Sequence, residues 1–407
     1  MSRVLYISYD GLTDPLGQSQ VLPYVIELSR LGFSFVLLSC EKMDAYKKNR
    51  GLIEKILEGT DVEWAPIFYT KKPPILSTLY DYWRLKRKAI FLHHKNEFQL
   101  VHCRSYIASM IGLCLKKTYR VKFIFDMRGF WADERVDGGL WDLKNIVYKW
   151  IYSFFKKKEK AFLENADHII SLTLAGKKEM DSWKHIKRLS LPISIIPCCT
   201  DTALFDRGKI KIEAMQNARK ELGVGEDEPI LTYLGSVTWY LLDEMLAFFL
   251  IYLEKFPNGK FLFITYANAE FIRSRAREVG VPLDKVLIVS AQRSSVPVFA
   301  SLGHFSIIFR KLVYSTKAAS PTKQGELMSL GIPIICNAAV GDMDILVRKY
   351  QSGLIVDSHG DLNYRKVVDD IERGSFDPDN IRKGALDYFS LQIGVASYKN
   401  IYGSLLS

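Results

Sequence analysis

Basic and hydroxyl side chains cluster in the stretch STKAASPTKQGELMSLGIPIIC, residues 315–336. Its pattern predicts an amphipathic helix from Glu326 to Gly331, followed by a buried strand. The loop and first turn before that helix contain Lys317, Ser320, Thr322 and Lys323. Cations, hydroxyl groups and helix N-terminal amides all favour a negatively charged group, so this stretch predicts an anion-binding site.

A second candidate is SYDGLTDPLGQSQ, residues 8–20, between an apolar run and an amphipathic helix predicted to start near Val21 and to end at Gly32. It contains neither G-x-G-x-x-G nor a Walker lysine. Glycine lets a backbone approach a ligand closely, and the helix start would direct its free N–H groups at the loop. We expect residues 11–20 to face a ligand, with Gly17 at the closest approach; a strand-to-helix turn without a ligand is the alternative.

A third candidate, FDMRGFWADERVDGG, residues 125–139, mixes carboxylates, guanidinium groups and aromatic rings after a strand. Such groups hydrogen-bond to sugar hydroxyls and pack on sugar C–H faces, so the mixture suits a saccharide; structural salt bridging in a loop is the alternative. Weaker candidates of the same kind, His102 and Arg104, follow the preceding strand.

The charge is asymmetric along the 407 residues. The net charge of +11 arises in the first half, because residues 1–200 contain 32 Lys and Arg against 21 Asp and Glu, whereas residues 201–407 contain 24 of each. Basic residues cluster at 71–72, 84–88 and 154–162, where aromatic or aliphatic residues interleave with them. An anionic membrane surface would attract such segments by about 1 kcal/mol per basic side chain. Nucleic acid and a merely solvated helix face are the alternatives.

Nothing in the sequence predicts a membrane span, a cleavable signal or a metal site. The longest apolar run, MLAFFLIYL, is too short to cross a bilayer. The opening SRVLYISYDG predicts a strand and a polar loop, and the six cysteines lack metal-ligand spacing. We therefore expect a cytoplasmic protein with reduced, buried thiols.

Apolar runs alternate with helical segments in two sets, which predicts parallel sheets with crossover helices. The first set is VLYISY, FSFVLLS, QLVHCRS, KFIFDM and HIISLT. After a polar segment at 206–228 comes the second set, ILTYLGS, KFLFITY, KVLIVSA, FSIIFR, IPIIC and GLIVD. Two sets on either side of one linker predict two Rossmann-like domains.

The order of several motifs resembles that of bacterial glycosyltransferases with the GT-B fold, within or near glycosyltransferase family 4, over essentially the full chain. These motifs are SYDGLTDPLGQSQ, FDMRGFWADE, ADHIISLT, IIPCCTD, YLGS and SPTKQGELMSLGIPIIC. The resemblance implies an α/β protein of two Rossmann-like domains facing across a cleft, with a C-terminal helix crossing back to the first domain. The implied bounds are 1–200 for an acceptor-binding domain, 201–385 for a nucleotide-sugar-binding domain and 386–407 for the helix.

The resemblance also implies roles for the candidate residues. Donor-binding residues would be Gly17, Gln18, Gly235, Ser236, Arg293, Lys317, Ser320, Thr322, Lys323 and Glu326. Acceptor-binding residues would be Asp10, His102, Arg104, Arg128 and Trp131. Catalysis would involve Lys323 at the diphosphate and Glu326 at the ribose hydroxyls, while residues 290–297 hold the base. A retaining enzyme needs no protein nucleophile; an inverting one needs a general base, for which Asp126 and Glu134 are the candidates.

Two features depart from the family pattern. Glu326 matches the second glutamate of the family's Glu-x7-Glu motif, but the first falls at Ala318. The usual Arg and Lys after the first strand of the second domain are also missing, because Ser236, Val237 and Thr238 follow Gly235.

The sequence thus predicts a retaining transfer of sugar from a nucleotide-sugar donor to a saccharide acceptor, with no metal or other cofactor. We expect a lipid-linked acceptor at the inner face of the cytoplasmic membrane, in synthesis of a bacterial capsule, O-antigen or exopolysaccharide. The alternatives are a sugar-nucleotide epimerase, which would turn over the donor alone, and a non-catalytic protein that binds anions or nucleic acid.

Overall fold

The computed structural model describes residues 3–73, 75–184, 186 and 192–407. The chain divides into two units, here called the first domain (Met1–Pro197 with Leu391–Ser407) and the second domain (Cys198–Ser390). The sequence predicts 1–200 with 386–407, and 201–385.

The regular elements alternate between strand and helix along most of the chain. The strands are β1 (Arg3–Ser8), β2 (Ser34–Glu41), β3 (Val62–Phe68), β4 (Leu100–Arg104), β5 (Lys122–Asp126), β6 (His168–Ser171), β7 (Ile193–Ile195), β8 (Ile230–Leu234), β9 (Lys260–Ile264), β10 (Val286–Val289), β11 (Phe305–Ile308), β12 (Ile334–Asn337) and β13 (Gly353–Val356). The α-helices are α1 (Pro15–Gln20), α2 (Leu22–Arg30), α3 (Met43–Leu57), α4 (Leu76–Asn96), α5 (Ser105–Tyr119), α6 (Trp131–Asp137), α7 (Ile146–Asn165), α8 (Leu174–Ser182), α9 (Ile212–Leu222), α10 (Leu242–Lys255), α11 (Ala269–Val279), α12 (Val296–Ala300), α13 (Thr322–Ser329), α14 (Met343–Tyr350), α15 (Asp361–Arg373), α16 (Pro378–Phe389) and α17 (Leu391–Leu406).

Each domain contains one parallel sheet. The strand order is β3-β2-β1-β4-β5-β6-β7 in the first domain and β10-β9-β8-β11-β12-β13 in the second. Strands β2, β4 and β8 are buried along their whole length, as expected when helices cover both faces of a parallel sheet. The strand order reverses between β1 and β4 and between β8 and β11, and ligands of such sheets bind at the carboxyl ends of the strands beside these switch points. The predicted α/β class with two Rossmann-like domains is confirmed.

Two sets of helices pack on the first domain: α4, α5 and α7 form one, and α2 and α17 form the other. Helix α5 packs against both α4 and α7, so these three lie side by side. The C-terminal helix α17 packs against α2 and buries Tyr398 and Tyr402 in the first domain. Among the described residues, no helix is long and apolar enough to cross a membrane.

The structure corrects three local predictions. Residues 15–20 form helix α1, which breaks at Val21 (φ −127°, ψ −61°) before α2 begins, so the loop is shorter than expected. Helix α13 begins at Thr322, directly after Pro321, because proline suits a helix start; Glu326 therefore lies inside the helix. The predicted linker at 206–228 contains α9, which packs against α12 within the second domain.

Candidate functional site

A cavity of about 280 Å³ opens at the carboxyl ends of β8, β9 and β10. Its lining residues are Leu234, Gly235, Ser236, Ile264, Thr265, Tyr266, Ala267, Ala291 and Val296. Ala291 and Val296 belong to the loop predicted to hold a nucleotide base. The ring of Tyr266 is largely exposed, and its hydroxyl donates to the carbonyl of Ala291 at 2.5 Å. The cavity is therefore mostly apolar and has an aromatic ring beside it.

Lys323 projects from the first turn of α13 into an aromatic enclosure. Its Nζ lies 4.2 Å from the ring centroid of Tyr233 and 3.6 Å from that of Tyr240. It donates to the hydroxyl of Tyr233 at 3.2 Å, and Tyr233 donates in turn to the carbonyl of Ser236 at 2.5 Å. The two rings stabilise a cation through their negative faces.

This lysine is a buried cation beside the end of β8. Its side chain is 8% exposed, and within the described residues it forms no salt bridge. Burial lowers the pKa of the Lys323 ammonium well below the ordinary 10.5, and Arg310 adds to this effect while Glu326 opposes it. A methyl group added at Gly235 would lie 3.2 Å from Nζ. Lys323 therefore reaches the backbone position directly after the first strand of the second domain.

Glu326 lies one turn further along α13 and pairs with the base loop. Its Oε1 is 2.9 Å from Nη2 of Arg293, whose guanidinium also lies 5.3 Å from the ring centroid of Phe205. The Glu326 side chain is 8% exposed and that of Arg293 is 45% exposed. Lys323 and Glu326 are three residues apart and hence on one face of α13, so the structure brings together Gly235, Lys323, Glu326 and Arg293.

The other predicted donor residues are placed differently. Lys317 is exposed on a short 3-10 helix, with its Nζ 5.2 Å from the ring centroid of Tyr314. The hydroxyl of Ser320 accepts a hydrogen bond from the backbone N–H of Cys198 at 3.2 Å. Ser236 shares a hydrogen bond of 2.9 Å with the hydroxyl of Thr238. Thr322 is the first residue of α13 and is partly buried.

The loop after β1 is held from within the first domain by Glu41, at the end of β2. The Glu41 carboxylate is fully buried and accepts hydrogen bonds from the backbone N–H of Leu12 at 2.7 Å and from Thr13 at 3.1 Å. It also accepts from the hydroxyls of Thr13 at 2.5 Å and Ser39 at 2.6 Å. A carboxylate with several charge-assisted hydrogen bonds is a strong anchor, so Glu41 fixes the path of the loop.

Gly17 explains why this loop needs glycine. An added Cβ would lie 2.1 Å from the carbonyl oxygen of Gly11 and 2.6 Å from Cα of Leu12. The close approach at Gly17 is therefore to the loop's own backbone. Gln18 braces the same turn, because its side-chain amide donates to the carbonyl of Thr13 at 3.1 Å.

His102, a predicted acceptor residue, and Asp126, a candidate general base, form a buried network with the C-terminal helix. The hydroxyl of Tyr402 lies 2.6 Å from Nδ1 of His102, and the Nε2 of His102 lies 3.4 Å from Oδ2 of Asp126. Tyr398 donates to the same Oδ2 at 3.3 Å. Burial lowers the pKa of His102 and so favours the neutral ring. In the tautomer that accepts from the Tyr402 hydroxyl at Nδ1, the Nε2–H is directed at Asp126.

Asp126 is fully buried. Burial acts to raise the pKa of its carboxyl group, but Arg128 and His102 outweigh that effect and the pKa is lowered. Asp126 is thus an enclosed carboxylate that orders its neighbours.

Two guanidinium groups lie beside this carboxylate. Arg104 pairs with Asp126 in the register of β4 and β5, and its Nε lies 3.5 Å from Oδ2 of Asp10. Arg128 follows β5 in the left-handed region, at φ 54°; its Nη1 lies 3.9 Å from Oδ1 of Asp126, and its Nη2 donates to Gln20 at 3.1 Å. The structure therefore brings Asp10, His102, Arg104, Asp126 and Arg128 together.

The remaining acceptor candidate, Trp131, and the second candidate general base, Glu134, lie on α6. Trp131 packs against Phe155, with ring centroids 4.8 Å apart, and Arg135 covers it at 4.9 Å. Glu134 is partly buried. Asp133 is a structural carboxylate, because Lys156 and Tyr152 donate to it at 2.9 and 2.8 Å.

Sequence reasoning missed the residues that support the site. These are Glu41, Tyr233, Tyr240, Tyr398 and Tyr402. A signal existed for the last two, because residues 398 and 402 are four apart on one face of a predicted helix. No local pattern marked Glu41, since a carboxylate at a strand end reads as solvent-exposed.

The chain is similar to known proteins in two ways: a family model matches most of the first domain, and solved structures share the fold of the whole chain. The model of Glycosyltransferase Family 4 matches residues 20–204. Among curated proteins, none matches the sequence significantly. Solved structures match over the whole chain: a glycosyltransferase from Rickettsia africae ESF-5 has a TM-score of 0.73 at 15% identity, covering 100% of this chain and 99% of its own.

Two further structures extend this match. Anabaena HepE in complex with UDP and glucose has a TM-score of 0.70 at 11% identity and covers 99% of this chain and 100% of its own. WaaG, a glycosyltransferase involved in lipopolysaccharide biosynthesis, has a TM-score of 0.67 at 12% identity and covers 98% of this chain and 99% of its own. The match of residues 20–204 to Glycosyltransferase Family 4 and these shared folds agree with the motif order, and the whole chain has the two-domain GT-B fold of these glycosyltransferases.

Proposed function

We propose that this enzyme transfers a sugar from a nucleotide-sugar donor, bound by the second domain, to a saccharide acceptor bound by the first. The acceptor is lipid-linked, and the product belongs to a bacterial surface polysaccharide such as a capsule, an O-antigen or an exopolysaccharide. The observation that carries the proposal is the buried Lys323 ammonium beside Gly235.

Lys323 supplies the positive charge that a departing nucleoside diphosphate requires. The basic pair expected after β8 is missing from the sequence, yet the Lys323 ammonium lies against Gly235, at the end of that same strand. A buried ammonium without a carboxylate partner is costly in the free protein, and binding a diphosphate would relieve that cost. A cation fixed where negative charge develops accelerates departure of the leaving group.

The neighbouring groups suit the nucleoside. Glu326 lies on the same face of α13 as Lys323, and its carboxylate has two oxygens that can accept from a vicinal ribose diol. Arg293, paired with Glu326, lies next to the phosphate position. The mostly apolar cavity lined by Ala291 and Val296 is suited to a planar base. UDP is the first nucleotide to test, because HepE was solved with UDP.

We propose a retaining reaction in which the leaving phosphate helps to deprotonate the acceptor hydroxyl. Asp126, one of the two candidate general bases, is enclosed by Tyr398, His102 and the Arg128 side chain. A carboxylate in that setting holds other groups in place and does not meet a substrate hydroxyl. Glu134 stays the alternative base for an inverting reaction.

The membrane part of the proposal rests on α4 and α7. Helix α7 exposes Ile146 (81%), Val147 (50%) and Trp150 (71%), and α4 exposes Leu76, Leu79, Tyr80, Trp83 and Phe91. Basic side chains interleave with these, and the guanidinium of Arg87 lies 4.5 Å from the ring centroid of Trp83. Since α4 and α7 flank α5 on one side of the first domain, these residues suit an anionic lipid surface.

The test is thermal stabilisation of the full chain by UDP, GDP, CMP, ADP and dTDP. A nucleotide that binds the folded state raises the unfolding temperature, and we expect one member of the panel to do so. Glu326→Ala should abolish that shift, whereas Glu270→Ala, which removes an exposed carboxylate paired with Arg277, should retain it. A panel without any shift on the wild type would count against the donor assignment and favour a non-catalytic protein.

A further inference from the structure

The first domain contains a buried guanidinium group that its own residues leave partly unsatisfied. Arg104 is 4% exposed. Its Nε and Nη1 are buried, and among the described residues neither finds a hydrogen-bond partner. Buried polar atoms are nearly always paired, and a buried charge without a partner is strongly unfavourable. A buried guanidinium with two unsatisfied N–H groups at the ligand-binding edge of a sheet therefore points to an anion that completes it.

The carboxylates nearby do not fill this role. Asp10 approaches Nε only to 3.5 Å, and its side chain is 44% exposed. Asp126 directs its Oδ2 at His102 and Tyr398, and its Oδ1 has no hydrogen-bond partner. One fully buried carboxylate, Asp126, thus faces the two buried guanidinium groups of Arg104 and Arg128, and the charge of Asp10 is partly screened by solvent.

Arg104 and Arg128 lie where a substrate group can bind. Arg104 ends β4, and β4 lies next to β1 at the switch point of the first sheet, where ligands of such sheets bind. Arg128 is held from the other side by Gln20, the last residue of α1. Two guanidinium forks at the same strand ends match the oxygen geometry of a phosphoryl group.

We propose that Arg104, with Arg128, binds a phosphoryl group of a substrate in the first domain. The proposal rests on the proposed function, because that function supplies two sources of such a group: the phosphate of a lipid-linked acceptor and the diphosphate of the donor. The proposal goes beyond that function because it states that the first domain recognises an anionic group in addition to a saccharide.

The test uses inorganic pyrophosphate and the full chain in the Lys323→Met background, which silences the proposed donor cation. Pyrophosphate should still stabilise Lys323→Met against heat, and adding Arg104→Gln should weaken its apparent affinity by at least about 10-fold, the loss expected for charge-assisted hydrogen bonds. The proposal is overturned if pyrophosphate does not stabilise Lys323→Met, or if Arg104→Gln leaves its affinity unchanged.

Thermal stabilisation of the Arg104→Gln single variant by two further ligands shows whether the phosphoryl group comes from the acceptor or from the donor. Loss of stabilisation by farnesyl diphosphate, with farnesol as the uncharged control, assigns the site to the acceptor. Loss of stabilisation by UDP assigns it to the donor. Failure of UDP to stabilise the wild type would refute the proposed function separately, because the pyrophosphate measurement contains no nucleotide.

The ligand-free variants separate binding from a structural role. A guanidinium that binds the phosphoryl group should lose pyrophosphate affinity on substitution whatever the change in unfolding temperature, whereas a guanidinium that only supports the fold should lower the unfolding temperature and leave pyrophosphate affinity unchanged. Arg104→Lys keeps the positive charge and removes the two-pronged guanidinium geometry. This variant should fold and should bind pyrophosphate more weakly than the wild type does. It therefore tests the proposal even if Arg104→Gln folds poorly.

Discussion

The Glu41 carboxylate accepts two hydrogen bonds from Thr13, one from the backbone N–H at 3.1 Å and one from the hydroxyl at 2.5 Å. This contact joins the end of β2 to the loop after β1. An added Cβ at Gly11 would lie 2.7 Å from Oε2 of Glu41, so the carboxylate fits only against a glycine. The loop that opens the ligand edge of the first sheet is therefore shaped by a residue 28 positions later in the chain.

Glu41→Gln should loosen this loop. The amide has one acceptor oxygen in place of two, so at least one buried N–H or hydroxyl of the loop loses its partner, which costs about 1–3 kcal/mol. Hydrogen exchange of a peptide spanning residues 9–16 should become faster. Glu63→Gln, at a carboxylate on β3 that is 42% exposed, is the control and should leave that exchange unchanged; equal effects would contradict the anchor role.

Gly17→Ala should destabilise the first domain by more than about 2 kcal/mol, because the new methyl group would overlap the Gly11 carbonyl and the loop must shift. Gly51→Ala is the matched control. Gly51 lies inside α3 with open space around it, and alanine there should stabilise the helix by about 0.5–1 kcal/mol. Urea unfolding of both variants measures the difference, and a neutral Gly17→Ala would refute the packing explanation.

Lys323→Met should change how stability depends on pH. The pKa of Lys323 is lowered in the folded protein, so between that value and the ordinary 10.5 the unfolded chain binds more protons than the folded one. Wild-type stability must then rise with pH through this window, by up to about 1.4 kcal/mol per pH unit.

The methionine variant should lose this slope and should be more stable than the wild type at neutral pH. Unfolding free energies measured from pH 7 to pH 10 would show both effects. Lys317→Met, at an exposed lysine of the same segment, should leave the slope in place. An unchanged slope in Lys323→Met would mean that the ammonium is not desolvated.

Trp150→Ser combined with Ile146→Ser should weaken binding to vesicles that contain an anionic lipid. Both side chains are largely exposed on α7, and their apolar area would enter the lipid headgroup region. Burying one large apolar side chain contributes about 1.5–3 kcal/mol, so we expect a loss of at least about 10-fold in vesicle co-sedimentation. Leu362→Ser, at a leucine of the second domain that is 85% exposed, is the control and should bind as the wild type does.

Long apolar runs made most of the fold predictable. All six strand runs predicted after residue 206 correspond to β8–β13, and the five earlier runs correspond to β1, β2, β4, β5 and β6. Strand β3 was missed because VEWAPIF alternates and contains a proline, and β7 because it has three residues. Buried parallel strands are continuous apolar segments that local sequence displays directly.

The sequence by itself determined the two-domain α/β class, the order of the motifs and the residue types available for an anionic, sugar-bearing ligand, since all of these depend on local composition and periodicity. Only the tertiary structure decided which of those side chains meet. It placed Lys323 beside Gly235 and turned Gly17 towards Gly11, and it brought Tyr402 of the C-terminal helix onto His102, 300 residues earlier. Contacts between distant segments arise from packing of whole helices and strands, which no local pattern encodes.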